Sequence, residues 1–368
     1  MRSPQVDHLG RCRRVQERLD SVNVDYLLVG PSTDLFYLIG LNRPQSERLT
    51  MLMLPRQGEP RLVLPSFERA LAEPLATFFD LVTWEEAEDP AKLLASSLPK
   101  NGRDLELAVA SKLFTHFLFR LQEATPDATF LPGAPVMDAV RTRKEEGELA
   151  RLAEAGAAAD HVFHSLLALP LVGMSEIEVK AQIMELIPAV GHDAAGGAIV
   201  GASPNGASPH HHVTDQQIMR GDAVVVDFGG TVGGYWSDMT RTFHVGQPSE
   251  RFIRAYDTVN EANQLAFEAV RPGVTAKDID RIAREHITQA GFGEYFLHRT
   301  GHGLGLDIHE PPYIVEGDQT VLKPGMVFSI EPGIYIEGEF GVRIEDIVTV
   351  TESGSRRFNR STHELQIV

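Results

Sequence analysis

The sequence predicts two α/β domains, one over residues 1–135 and a larger one over residues 136–368. Three observations carry this reading. Short apolar strand patterns alternate with helical patterns through the first 130 residues. The stretch Leu131-Pro132-Gly133-Ala134-Pro135, with two prolines and a glycine, then interrupts the alternation. Beyond it, a long helix, a capped helix and a set of strands occur in the same order twice, about 100 residues apart.

In the first domain, Arg11 to Leu19 reads as a basic amphipathic helix, and Tyr26-Leu27-Leu28-Val29 as a strand ended by Gly30 and Pro31. Leu49 to Leu54 and Arg61 to Leu64 flank a turn at Gln57-Gly58 and predict a hairpin. Leu81 to Trp84 and Leu105 to Ala110 are further strands, with helices at Ala91–Leu98 and Leu113–Glu123. No glycine-rich phosphate loop or catalytic constellation stands out among them.

In the second domain, Lys144 to Leu169 is a long helical pattern ended by Pro170 and Gly173. Ser175 then starts a helix, with Glu178 placed to complete a capping box. The echo runs from Ser249 to Val270, ends at Pro272-Gly273, and restarts at Thr275 with Asp278. Strands follow each pair, at Ala198–Ala202 and Ala223–Phe228, then at Val327–Ile330 and Gly341–Val350. The expectation is two related halves about a pseudo-twofold axis, sharing one sheet under a layer of helices. A ligand site would lie on the open face between them.

Composition limits the function classes. With 43% hydrophobic and 23% charged residues the chain belongs with folded proteins, and 368 residues suffice for two cores. A net charge of −17 lacks the basic footprint of a nucleic-acid or anionic-membrane surface. The single Cys12 excludes an internal disulfide and a cysteine-rich metal site. Neither a signal peptide nor an apolar span of membrane length is present, so a cytoplasmic location is expected.

The chemistry is carried by misplaced charge. Asp227 follows the apolar run Ala223-Val224-Val225-Val226, and Asp238 lies beyond Gly229-Gly230 and Gly233-Gly234, so a hairpin can join the two acids. His302 is flanked by Gly301 and Gly303, which permit close backbone approach. Glu331 ends the strand Met326 to Ile330, and strand alternation puts Arg343 and Glu345 on one face with Asp346 on the other. One such acid would be read as a helix cap or an ion pair. Five groups in five strand-edge contexts point instead to a shared cation, because unpaired buried carboxylates are costly. Four carboxylates and one imidazole suit Mn, Co, Fe or Zn, and two divalent ions would balance four negative charges.

The segments DFGG…SDMTRT, HRTGHGLGLDIHE, SIEPGIY and VRIEDIV resemble those of the pita-bread metallopeptidases, among them prolidase, aminopeptidase P, methionine aminopeptidase and creatinase. The resemblance runs from about Lys144 to the C-terminus, and the first 130 residues resemble a creatinase-type N-terminal domain. It implies a curved antiparallel sheet. It also implies that Asp227, Asp238 and Glu345 hold one metal ion, while Asp238, His302, Glu331 and Glu345 hold a second, with Mn²⁺ or Co²⁺ common in the family. Pro209-His210 and His309 match positions that contact substrate or stabilise its oxyanion, and Arg343 matches one that orients Glu345 or a substrate carboxylate.

Glu331 is the implied proton acceptor. His211 and His212 are expected to be loop residues, since consecutive histidines do not converge on one ion. His161, His164, His192, His244, His286, His298 and His363 lack a motif and are expected on the surface or in the core. Thr240 is either a partner of a ligand carboxylate or an ordinary strand threonine.

The activity so implied is hydrolysis of Xaa-Pro bonds in small peptides, by a dipeptidase or, alternatively, by an aminopeptidase P acting on longer chains. A homodimer is expected. All five ligand positions are kept, which disfavours creatinase and a non-catalytic peptide-binding relative.

Overall fold

The structure is a computed structural model that describes residues 6–99 and 104–368. Its contacts divide the chain into Met1–Arg141 and Thr142–Val368.

The first unit runs α1 (His8–Ser21), β1 (Tyr26–Val29), α2 (Thr33–Ile39), β2 (Met51–Pro55), β3 (Arg61–Pro65), α3 (Arg69–Ala72), β4 (Asp80–Trp84), α4 (Pro90–Ser96), β5 (Glu106–Val109), α5 (Thr115–Ala124), β6 (Thr129–Pro132) and α6 (Ala134–Arg141). Its six strands lie in the order β4-β3-β2-β1-β5-β6. The expected hairpin is present, with Met51 opposite Val63. β1 is central, paired with β2 on one side and β5 on the other. Leu27, Leu28 and Val29 are fully buried there.

Three elements escape the periodicity. α2 has 7 residues, too few for an apolar stripe, and is defined by its Ser32 cap and by Gly40 in the left-handed region at φ 76°. The proline-rich stretch at 131–135 is β6 and the start of α6. Gly133 is required there because a Cβ would stand 2.7 Å from the Val109 backbone, and Pro135 sits where a helix start needs no N–H. α6 then packs on α1, and its Arg141 pairs with Asp34.

The second unit begins with α7 (Glu146–Leu167), α8 (Glu176–Ala189), β7 (Ala194–Ala202), β8 (Ala223–Val232), β9 (Tyr235–Trp236) and β10 (Met239–His244). It continues with α9 (Glu250–Ala269), α10 (Ala276–Gln289), β11 (Gly301–Gly303), β12 (Glu310–Ile314), β13 (Val327–Ile330), β14 (Gly333–Ile336), β15 (Phe340–Arg343), β16 (Asp346–Val350), β17 (Ser355–Arg357) and β18 (Gln366–Ile367).

The repeat is visible in backbone hydrogen bonds. Gly173 and Gly273, at φ 88° and 90°, each start a helix–helix join. Gly173 donates to the Ile218 carbonyl at 2.8 Å, and Gly273 to that of Leu322 at 3.0 Å. Ile218 returns a bond to Met174 at 2.9 Å, and Leu322 to Val274 at 2.8 Å. The caps differ. Ser175 and Glu178 form the full capping box, whereas Thr275 donates its hydroxyl to the Asp278 carboxylate instead of capping a backbone N–H.

The single shared sheet expected from the repeat is not what forms. The halves carry separate five-stranded sheets, β18-β10-β8-β7 with β9 on β8, and β12-β11-β13-β16-β17, while β14 and β15 pair on their own. The predicted strand Gly341–Val350 breaks at Ile344-Glu345, because β15 bonds to β14 and β16 to β13, and one straight strand cannot serve both ladders. The break is tied to the first half. Glu345 N–H donates to the Thr240 carbonyl at 3.1 Å, and the Arg241 guanidinium donates to the Glu345 carbonyl at 2.6 Å.

Strand alternation then sorts the faces. Val224, Val226 and Phe228 of β8 pack with Phe163, Leu166, Ile183 and Ile187 of the helices. Phe328 and Ile330 of β13 pack with Val259, Ile279 and Ile287. Asp227, Thr240, Ser329 and Glu331 fall on the alternate positions.

Phe163 is 1% exposed at the centre of the first-half core. Phe163→Ala should cost about 3–5 kcal/mol and lower the melting temperature of this unit by roughly 6–20 °C, read by circular dichroism.

Candidate metal centre

Asp227 lies inside β8, opposite Thr240 of β10, and Asp238 precedes β10 by one residue. Of the two glycine pairs expected to make the turn, Gly233-Gly234 does so, both at positive φ, while Gly229-Gly230 does not, since β8 runs on to Val232. Gly229 and Gly230 are needed for packing instead. A Cβ would overlap the Ser237 carbonyl at the first and crowd the His192 ring at the second.

His302 occupies the middle of β11. A Cβ on Gly301 would overlap the Ser329 carbonyl, and one on Gly303 the carbonyls of Glu310 and Pro311, so both glycines let this strand press against its neighbours. The His302 N–H donates to Ser329 Oγ at 3.0 Å, and that hydroxyl donates to Glu331 Oε1 at 3.1 Å. His302 Nδ1 stands 3.1 Å from the Gly303 carbonyl, which fixes Nδ1 as the protonated nitrogen and leaves the Nε2 lone pair free. Nε2 faces Glu331 Oε1 at 3.3 Å and Asp238 Oδ2 at 3.6 Å. Burial lowers its pKa to about 3, so the ring is neutral, as a metal ligand must be.

Ligand atoms of Asp238, His302 and Glu345 all lie within 4.8 Å of one another, and all three residues are buried. Burial, then repulsion from neighbouring acids, raises the carboxyl pKa of Asp238 and Glu345 well above the ordinary range. Burial pushes Glu331 up to about 7. Without a cation this cluster must hold protons. The donor set, mostly oxygen with one neutral imidazole, fits borderline divalent ions.

Asp346 behaves oppositely. Burial would raise its pKa, but Arg241 at 2.7 Å, His363 at 2.6 Å and Arg357 at 3.0 Å hold it well below the carboxylate range. It is a structural acid on the other side of the chain from Glu345.

Arg343 is 3% exposed. Its guanidinium donates to Asp227 Oδ2 at 2.7 Å, to Thr240 Oγ1 at 3.0 Å, to the Tyr335 hydroxyl at 2.8 Å and to the Pro209 carbonyl at 3.3 Å. Thr240 passes the bond on, donating to Glu345 Oε2 at 2.6 Å. The Tyr335 hydroxyl is 2.8 Å from His298 Nε2. Burial lowers His298 to about 4, so the ring is neutral, and with Nδ1 donating to the Arg299 carbonyl at 2.7 Å its Nε2 accepts a hydrogen bond from the tyrosine hydroxyl. His298 and Tyr335 therefore join this network; they lie in the segments HRTGHGLGLDIHE and SIEPGIY, but sequence alone assigned neither a role. His192 and His363 are packed structural histidines, bonded to Ser237 and Asp346 respectively.

Two loops carry the remaining histidines. The His309 ring meets that of His302 edge-on, centroids 4.2 Å apart. Burial, then Arg299 and His210, lower the pKa of His309, which puts His210 within its electrostatic reach. His210 itself is exposed. The loop holding His309 is fastened by a Lys144–Glu310 ion pair and by Trp236, which donates from its backbone to Gly305 and from its ring to Leu306. The loop holding His210 is fastened by Glu176, whose position at a helix start reads from sequence as an ordinary first-turn acid.

Comparison with known proteins gives the family. Residues 150–352 match metallopeptidase family M24, and residues 11–143 match the creatinase/prolidase N-terminal domain. The probable dipeptidase PepE of Mycobacterium tuberculosis is 44% identical over 93% of this chain and 92% of its own. The Xaa-Pro dipeptidase of Lactobacillus helveticus is 34% identical over 96% of this chain and 98% of its own. The crystal structure of a Thermococcus sibiricus prolidase superimposes with a TM-score of 0.93 at 35% identity, covering 99% of this chain and 100% of that one.

In the metal-free protein the folded state holds Glu331 protonated up to about pH 7, against an ordinary value of 4.5. The folded state thus binds more protons than the unfolded one, and the stability from this group is present at low pH and lost as pH rises through that window. Melting temperatures followed across it in chelator should fall more steeply for wild type than for Glu331→Gln. Excess divalent ion, which replaces the protons in the cluster, should flatten the wild-type slope. Equal slopes in chelator would contradict the burial argument.

Proposed function

The chain belongs to metallopeptidase family M24, and from that membership we propose that it hydrolyses Xaa-Pro dipeptides with two divalent ions, Mn²⁺ being the first choice. Peptidase activity follows from the family. The substrate and the ion pair are our reading, and the buried cluster of Asp238, His302 and Glu345 is the observation that carries it. Similarity to the Lactobacillus Xaa-Pro dipeptidase over almost the whole chain supports the dipeptide.

In this reading Asp227, Asp238, His302, Glu331 and Glu345 hold the ions. Bound there, they supply Lewis acidity toward the scissile carbonyl and make the attacking water more acidic. The chain's own residues do the rest. The amide before proline has no N–H and its nitrogen lies in a ring, so the site works from the carbonyl side. His309, edge-on to His302, and His210, from the facing loop, donate to the oxyanion as the carbonyl carbon becomes tetrahedral. Glu331 accepts the water's proton and delivers it to the proline nitrogen as the C–N bond breaks. Arg343 holds Asp227 directly and Glu345 through Thr240. Four of its five N–H donors are engaged within the fold, so its part is to orient the acids, with one N–H left to meet a substrate carboxylate.

The test compares Xaa-Pro with Xaa-Pro-Yaa after reconstitution with Mn²⁺, alongside metal analysis. Release of proline from the dipeptide alone is the expected result, and cleavage of the tripeptide would instead make the protein an aminopeptidase P. Asp238→Ala and Glu345→Ala should each lose metal and at least roughly 100-fold in kcat/KM, more than loss of an outer partner costs. A variant that binds no metal yet keeps full activity would sink the proposal.

A further inference from the structure

Glu176 is completely buried and takes no part in the metal cluster. It occupies the first position of α8, where the helix dipole favours an anion. Its two oxygens accept five hydrogen bonds, all from one segment. Oε1 accepts from the Ala202 N–H at 2.9 Å and the Asn205 amide at 3.0 Å. Oε2 accepts from the Thr214 N–H and hydroxyl, each at 2.9 Å, and from His211 Nε2 at 2.8 Å. Burial alone would raise its pKa, yet the bonds from Ala202, Asn205, His211 and Thr214 outweigh this and hold it below the ordinary value.

These contacts have a geometric consequence. Ala202 and Thr214 are the two ends of the loop that presents His210, and Glu176 ties both ends to one carboxylate. The adjacent His211, set aside as a metal ligand, is one of the ties. The loop is closed from its other side as well. The Pro209 carbonyl accepts from Arg343, and a Cβ on Gly341 would overlap the Gly206 carbonyl, so loop and β15 touch backbone to backbone. A loop of some twelve residues would otherwise sample many conformations, and a displacement near 1 Å is enough to cost about 100-fold in rate.

We propose that Glu176 is a positioning residue, a buried anionic clamp that sets where His210 meets the substrate oxyanion. The inference rests on the Xaa-Pro reading above for its kinetic consequence, but not for its structural one. The carboxylate is matched by five donors, so Glu176→Gln fits in volume but not in chemistry. Its amide nitrogen cannot accept, and two or three of the donors lose their partner whichever way the amide turns.

The experiment uses the Mn²⁺-loaded protein. Glu176→Gln should lower kcat by roughly 10–100-fold with the metal content of the wild type. Hydrogen exchange should speed up at Ala202 and Thr214. A double-mutant cycle with His210→Ala gives the readout that a merely structural role would not move. Once His210 is gone, Glu176→Gln should cost no more than about 3-fold further. Should Glu176→Gln fail to fold, Asn205→Ala removes one of the five bonds to Glu176, together with a longer one to the Thr214 hydroxyl. It should act in the same direction, more weakly, and be absorbed in the same way by His210→Ala.

Full multiplication of the two effects would overturn the proposal, as would unchanged exchange at Ala202 and Thr214. If wild type cleaves no Xaa-Pro dipeptide, the functional reading falls. Hydrogen exchange then still decides whether Glu176 holds the loop.

Discussion

Buried negative charge is the constraint around which the second unit is arranged. Asp238, His302 and Glu345 converge from separate segments into a space where an isolated carboxylate is costly. Arg343 answers part of that charge from within the fold. It reaches Asp227 directly and Glu345 through Thr240, and so fixes acids of both halves by one guanidinium. The remainder is left for protons or for divalent ions. Asp346 shows the alternative, since two guanidinium groups and the His363 ring surround it and it is spoken for.

The duplicated architecture explains how such a cluster is held. Each half buries one face of its strands under two helices, and the alternate positions carry the polar groups. The joins at Gly173 and Gly273 repeat the same backbone bonds. On these matching frames the halves have diverged in what they present. Glu176 anchors the loop bearing His210 in the first, and the Lys144–Glu310 pair fastens the loop bearing His309 in the second. Rigid strands supply the acids, and loops tied down at buried charges supply the histidines.

Much of this was legible from local pattern. The helices from Lys144 and Ser249, the hairpin at Gln57-Gly58 and the capping box at Ser175 follow from periodicity and cap chemistry, which act within a few residues. Alternation also separated Glu345 from Asp346 correctly, even though the strand they were placed on breaks between Arg343 and Asp346. Gly229-Gly230 misled as a turn because glycine signals close packing as readily as chain reversal, and here it was the His192 ring and the Ser237 carbonyl that needed the space. The single sheet failed because hydrogen bonding between strands is a non-local choice that a repeat in sequence does not specify.

What the sequence determined by itself was the inventory: two α/β units, a twofold repeat, and acids, histidines and glycines spaced so that strand alternation puts the chemistry on one face. Local sterics and the period of two along a strand are enough for that. Only the tertiary structure decided the partnerships. Glu176 reads as a first-turn acid until the loop at 202–214 folds back on it. His298 reads as a stray histidine until Tyr335 and Arg343 line up beside it. Each of these contacts joins residues 8 to 38 positions apart in sequence. Their energies depend on burial that only the packed chain creates.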